Sequence, residues 1–186
     1  MPKSFLAAGL LVAALTACGS QVAAQQTPPS TPPGIQAAFN PTDAAWLELM
    51  IPMDEQFLQI LALAPTHSAN PAVRRLAASL TAAHQAELTQ LKAIRTEAGL
   101  PTTNPHEGHD MPGMMTADDL LALSNLHGAA FDRTFETEAK DHLAQSALVT
   151  RSVLAAGQAP AVKHVAAQIQ QARTEQTTSL TTLRQG

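Results

Sequence analysis

Cys18 is the single cysteine in 186 residues, so the chain can form no internal disulfide and offers no cysteine-based zinc site. Tyrosine is absent and aromatic residues make up 3% of the total, leaving a core of Leu, Ala, Val and Ile, a composition that favours helices over sheet. Lysine and arginine number 11 against 15 acidic residues, a formal charge of -4, and the basic residues form no cluster. That argues against nucleic acid and against a polybasic membrane-surface patch. There is no Gly-rich phosphate loop, nucleophile elbow or zinc-protease motif, so no enzyme of those classes is expected.

Long hydrophobic runs are also missing. The apolar run over residues 5–14 follows Lys3; it is too short to span a bilayer and is placed like the hydrophobic region of an export signal. Leu15-Thr16-Ala17-Cys18 resembles the lipobox of bacterial lipoproteins, in which the cysteine becomes the lipidated first residue of the mature chain. The expectation is a signal peptide over residues 1–17 and a lipidated Cys18 that holds the protein to a bilayer on the extracytoplasmic side, in the cell envelope. A secretory signal cleaved near Ala24, giving a soluble product, is the alternative. Residues 18–41, with Pro28-Pro29, Pro32-Pro33 and Gly34 among Gln, Ser and Thr, read as an extended tether. Residues 42–186 remain for one folded domain.

That domain is a duplication. Residues 43–95 align without gaps onto 132–184 at a constant offset of 89, with Asp43, Gln56, Ala83, Leu91 and Arg95 falling on Asp132, Gln145, Ala172, Leu180 and Arg184. Each copy reads as a helix, a break and a second helix opening on Pro71 or Pro160, where a missing N–H is harmless. Thr42 is the expected cap of the first helix and Pro65 its end; Asn70 caps the second and Gly99 stops it in the left-handed region. In the second copy Thr116 and Asp119 resemble a capping box, and the helix is expected to bend near His127-Gly128 before continuing to Ala156.

Apolar residues recur at steps of three and four: Trp46, Met50, Met53, Phe57, Ile60 and Leu61; Val73, Ala77, Leu80, His84, Leu88 and Leu91; Phe131, Phe135, Ala139, His142, Ser146, Val149 and Val153. Such stripes close a four-helix bundle. The connection over residues 100–115 is longer than bundle loops need, which marks it for function.

Residues 106–115 of that connection read His-Glu-Gly-His-Asp-Met-Pro-Gly-Met-Met. Pro105, Gly108, Pro112 and Gly113 keep them from being helical. Thioether sulfur suits Cu(I) and imidazole suits both copper states, so His106, His109, Met111, Met114 and Met115 point to copper; a solvated connector or a lid is the plainer reading. On the helices, Met50 and Met53 read as core fillers. His142 is equivalent to Met53 and should point inward, where Glu138 one turn earlier could orient it. His84 and Glu87 share one side of the second helix, but the counterpart of His84 is Arg173, which places the position near the boundary. A carboxylate-oriented ligand and a solvent-facing ion pair are both open there. His127 sits where it could approach the loop, whereas His67 and His164 read as surface residues.

Together these features resemble the family known as domain of unknown function 305. The carrying residues are Met50-Ile51-Pro52, His84-Gln85-Ala86-Glu87-Leu88, His109-Asp110-Met111-Pro112-Gly113-Met114-Met115 and Gly128-Ala129-Ala130-Phe131-Asp132. The resemblance implies a ferritin-like four-helix bundle, all α, built here from two duplicated hairpins, and a copper-binding role. Members typically carry two adjacent histidines after Met-Ile-Pro; this chain has Met53 and Asp54 there, and His142 and Leu143 in the second copy.

A di-iron centre needs Glu-x-x-His pairs that no predicted bundle helix supplies, which argues against a ferroxidase. The expected function is therefore non-enzymatic: an extracytoplasmic, membrane-anchored lipoprotein that binds copper for buffering, delivery or resistance, with a copper-handling protein as partner. The alternative is an envelope interaction or scaffolding module without metal.

Overall fold

A computed structural model describes residues 38–183. The expected signal peptide, the expected lipidation at Cys18 and nearly all of the expected tether lie outside the described residues. Five helices follow in order: α1 (Pro41–His67), α2 (Pro71–Glu97), α3 (Ala117–Ser124), α4 (Gly128–Ala156) and α5 (Pro160–Leu183). The α1–α2 and α4–α5 hairpins pack on each other through α1 against α4 and α2 against α5, the four-helix arrangement that the duplication demands. No helix among the described residues is long and apolar enough to cross a membrane.

The helix ends follow local chemistry, with three differences from the expected boundaries. Asn40, not Thr42, caps α1: its side chain accepts from the backbone N–H of Asp43 at 2.8 Å, and the Asp43 carboxylate accepts from the Asn40 N–H at 2.9 Å. Helix α1 also runs past Pro65 to His67, because a proline in the last turn removes one ladder bond without blocking the residues after it. The stretch expected to bend near His127 is instead two helices, α3 and α4, and Gly128 at the junction has a φ of 57°, which interrupts a right-handed helix and suits glycine. Asn70, Gly99 and the Thr116–Asp119 capping box stand where the sequence places them.

Asp43 fastens the two copies together. Its buried carboxylate accepts from the backbone N–H of Gln158 at 3.1 Å and of Ala159 at 3.0 Å, so the start of α1 is bonded to the turn between α4 and α5.

The interior has two apolar clusters. One gathers Phe57, Ile60, Leu80, Phe131 and Phe135; the other gathers Trp46, Met50, Met53, Leu91 and Ile169. Along every long helix a polar segment lies between them: Asp54 on α1, His84 and Glu87 on α2, His142 and Ser146 on α4, Arg173 and Gln176 on α5, all buried.

Candidate metal centre

Four long helices each contribute to this polar layer, and the duplication explains why. At the offset of 89, His84 corresponds to Arg173, Glu87 to Gln176, Met53 to His142 and Phe57 to Ser146. The positions face the bundle axis in both copies, but only some carry polar side chains, so the layer is chemically asymmetric. On one side sit two imidazoles and a carboxylate; on the other sits a guanidinium with its acceptors.

The guanidinium side is saturated. Arg173 is 1% exposed; its Nη1 and Nη2 donate to the two carboxylate oxygens of Glu87 at 3.0 and 2.6 Å. Its Nε donates to Ser146 Oγ at 2.7 Å and Nη1 also donates to Gln176 Oε1 at 3.1 Å. Nη2 comes within 3.5 Å of Asp54 Oδ1. The two-pronged geometry is the strong form of the Arg–carboxylate pair.

The imidazole side is not saturated. His84 Nδ1 is 3.0 Å from Asp54 Oδ1, and His142 Nε2 is 3.8 Å from the same oxygen. One donor atom from each of Asp54, His84 and His142 lies within 4.8 Å of the other two. His142 Nε2 is buried without a hydrogen-bond partner, and Asp54 Oδ2 and His84 Nε2 make no well-formed bond although Glu87 and Gln176 lie near enough to act on those side chains, an expensive arrangement for polar atoms held away from water. Phe57 closes the space around them, stacked on His142 at a centroid distance of 4.0 Å and edge-on to His84 at 4.8 Å.

These donors fit a metal ion. Bonds of about 2.0–2.2 Å to nitrogen and oxygen can span the edges from Asp54 to His84 and His142, at 3.0 and 3.8 Å, and the edge between the two imidazoles, within 4.8 Å, closes with a small side-chain shift. Asp54, His84 and His142 would hold the ion, and because Asp54 and His84 now share a proton, loading should release protons.

Burial also sets the proton states. It pushes the His84 imidazole down to about 3, with Arg173 adding to the fall, and it holds Asp54 up at about 7 because burial outweighs the opposing guanidinium. Burial raises Glu87 to about 7 as well, with Asp54 adding to the rise and Arg173 opposing it. His142 is lowered well below the usual range, by burial first and then by His84 and Arg173. Both histidines are therefore neutral at physiological pH, the form a metal requires.

The consequence for the metal-free fold has a definite sign. Histidines whose folded values are depressed stabilise the fold above about pH 6.5, and that stability is lost as the pH falls below it, because the unfolded chain binds protons first. Raised carboxylates act oppositely: their contribution is present at low pH and is lost as the pH rises towards 7. The two nearly cancel between about pH 4.5 and 6.5, and below that window only the histidines remain. Urea unfolding of metal-free protein should show His84 and His142 together giving a slope of about 3 kcal/mol per pH unit just below pH 4.5. His142→Phe should remove about half of it; an unchanged slope would show that His142 is not held neutral by burial.

The loop residues separate into two groups. Met115 is buried in the apolar cluster of Phe57, and its backbone N–H donates to Gln56 Oε1 while its carbonyl accepts from Gln56 Nε2, both at 2.6 Å. Met114 packs against the other cluster. Met111 is half-buried. His106 and His109, with ring centroids 6.4 Å apart, line an open cleft of about 560 Å³ together with Glu107, Asp110, Met114 and Met115. Gly113 touches the buried layer: its backbone hydrogen-bonds His142. Its φ is 78°, and a Cβ there would lie 2.5 Å from the Cβ of Gln145, so glycine is needed for the loop to seat. The loop is thus both the cleft wall and the cover over His142.

Three expectations are revised. His84 and Arg173 are not at the boundary but fully buried, 0% and 1% exposed. The carboxylate beside His142 is Asp54 rather than Glu138. His67 is not a plain surface residue: Nδ1 lies 2.9 Å from the Leu63 carbonyl and Nε2 2.9 Å from the Ser124 carbonyl, and the ring stacks on His127. His164 is exposed as expected. Glu87, a candidate ligand, has both oxygens engaged by Arg173. Sequence reasoning missed Asp54 and Arg173 as members of the layer. Their signal was a charge on each buried stripe: Asp54 between Met53 and Phe57, Arg173 between Ile169 and Leu180.

Residues 43–184 match the family model described as domain of unknown function, DUF305, nearly the span of the duplication. A DUF305 fragment from Deinococcus radiodurans has a similar structure, with a TM-score of 0.70 at 20% identity, covering 78% of this chain and 96% of that one. A DUF305 protein from Streptomyces coelicolor, named as a candidate secreted protein, gives 0.68 at 16% identity over 76% and 91%. CopM in its Cu(I)-bound form gives 0.64 at 16% identity over 77% and 95%. No curated protein matches the chain significantly in sequence.

Proposed function

The chain belongs to the DUF305 family, and on that premise we propose that it is a copper-binding lipoprotein of the cell envelope, acting in copper buffering, delivery or resistance. The observation that carries the reading is the convergence of Asp54, His84 and His142 in the sealed layer, one donor atom of each within 4.8 Å of the other two. A ligand that supplies positive charge and takes lone pairs suits converging imidazole and carboxylate donors, and a metal ion does both. The likeness of fold to CopM, solved in Cu(I)-bound and Cu(II)-bound forms, supports copper as the ion.

The loop and the buried layer divide the work. His106, His109 and Met114 at the open cleft, with Met111 beside them in sequence, are accessible and mix soft sulfur with imidazole, which suits capture. Met115 serves packing and seating of the loop rather than ligation. The buried triad, sealed by Phe57 and covered by Gly113, suits retention. Lipidation of Cys18 would hold this machinery at a bilayer, where a copper-handling protein could exchange metal with the cleft. The scaffold alternative has no observation that favours it over metal.

An anaerobic Cu(I) competition titration tests the division. Replacing His106 and His109 by Ala and Met111 and Met114 by Leu should leave one tight, slowly loaded ion, whereas His84→Gln with His142→Phe should leave only weaker, fast-exchanging binding. Full loss of Cu(I) in the loop variant would place binding in the loop alone; no binding by the parent protein would remove the copper reading.

A further inference from the structure

The buried centre holds more charge than its three donors supply. We propose that Arg173 sets the charge of the cation that the centre retains, making it selective for a monovalent ion of the Cu(I) or Ag(I) type over a divalent one. The inference rests on the metal reading of Asp54, His84 and His142. Imidazole and carboxylate donors alone do not decide the matter, since they serve Cu(II) and Zn(II) as readily. Selection must come from what surrounds them.

The surroundings can be counted. In the loaded centre, where the ion takes the place of the acid proton, Asp54 and Glu87 bring two negative charges, Arg173 brings one positive charge, and His84 and His142 are neutral ligands. Glu55, which also acts on Asp54, is cancelled by Lys92 at 2.7 Å. The layer therefore carries one net negative charge, which a monovalent ion neutralises and a divalent ion overshoots. At 0–7% exposure for these side chains, water screens little of the excess. Arg173 cannot swing away, because Ser146, Gln176 and both oxygens of Glu87 hold it, and its Nη2 stays 3.5 Å from the candidate ligand oxygen of Asp54. In the other copy the equivalent position is His84, a neutral ligand. The duplication thus supplies a ligand from one half and a fixed countercharge from the other.

The test is a competitive titration of Ag(I) and Zn(II), with the unfolding midpoint read alongside, on protein whose cleft donors are replaced (His106→Ala, His109→Ala, Met111→Leu, Met114→Leu). Arg173→Gln leaves two uncompensated carboxylates and should lower the Ag(I) to Zn(II) affinity ratio on the order of a hundredfold. Adding Glu87→Gln restores a single negative charge and should return the ratio to that of the parent. Should the Arg173→Gln protein fail to fold, Glu87→Gln alone, which leaves the layer neutral, should weaken Zn(II) more than Ag(I) and raise the ratio. An unchanged ratio in Arg173→Gln, or a double variant behaving like the single one, overturns the role of Arg173 while leaving the centre intact. Failure of the parent to bind either ion overturns the metal reading itself.

Discussion

Arg173→Met should destabilise the metal-free fold by about 3–5 kcal/mol at neutral pH, the usual loss when one member of a buried ion pair is removed. The loss arises less from the missing attraction than from what stays behind. Glu87 would keep a carboxyl at 6% exposure with no guanidinium, Ser146 would lose the donor it now accepts from, and Asp54 would lose the guanidinium 3.5 Å away. Adding Glu87→Met should recover most of the stability, because two apolar side chains of similar volume suit the space between the two apolar clusters. Lowering the pH to about 5 should also recover part of it, since the stranded group folds as a neutral acid and its proton is cheaper to supply at lower pH. Urea unfolding of the single and double variants measures the coupling. A single-variant loss below about 1 kcal/mol would match a solvent-exposed pair and contradict a sealed layer.

Asp43→Ala should destabilise by about 2–4 kcal/mol, combining a lost helix cap with buried N–H groups left unpaired. The carboxylate serves three backbone donors: Asn40 in its own capping box, and Gln158 and Ala159 across the bundle. Asp43→Asn should recover little, because an amide has one acceptor oxygen where the carboxylate has two. Hydrogen exchange should place the damage at the turn between α4 and α5 as well as at the start of α1. Damage confined to α1 would show that Asp43 is a local cap and not a fastener between the copies.

Most of the fold was legible because helical bundles write themselves in spacing. The stripes of α1, α2 and α4 reappear as buried faces, with Leu88 and Val149 only half-buried, and Pro71, Pro160, Gly99 and Thr116 mark ends by local rules that tertiary contacts do not override. What failed was also local. Pro65 reads as a stop but sits so late in α1 that its effect is small, and Gly128 reads as a bend but has a positive φ that breaks the helix outright.

The site was legible in part and for a different reason. His84, Glu87 and His142 could be found as polar residues on apolar stripes, but Asp54 looked like the loss of a family histidine, and Arg173 looked too costly to bury. A charge at a stripe position is cheap only when its partners come from other helices, and those partners are set by how two hairpins dock. The offset of 89 pairs His84 with Arg173 and Glu87 with Gln176, but the pairs that bond are Arg173 with Glu87 and His84 with Asp54. Equivalence in sequence therefore located the layer without giving its wiring. The loop shows the same gap: its composition advertises ligands, yet Met115 is committed to the core through Gln56, a contact that no periodicity encodes.

The most direct test is to crystallise the protein loaded with Ag(I) and locate the ion by its anomalous scattering. The account predicts an ion bonded to ring nitrogens of both His84 and His142 and to an oxygen of Asp54, with Arg173 still paired to Glu87. An ion found only among the loop side chains, with His84 still hydrogen-bonded to Asp54 and His142 unligated, would contradict it.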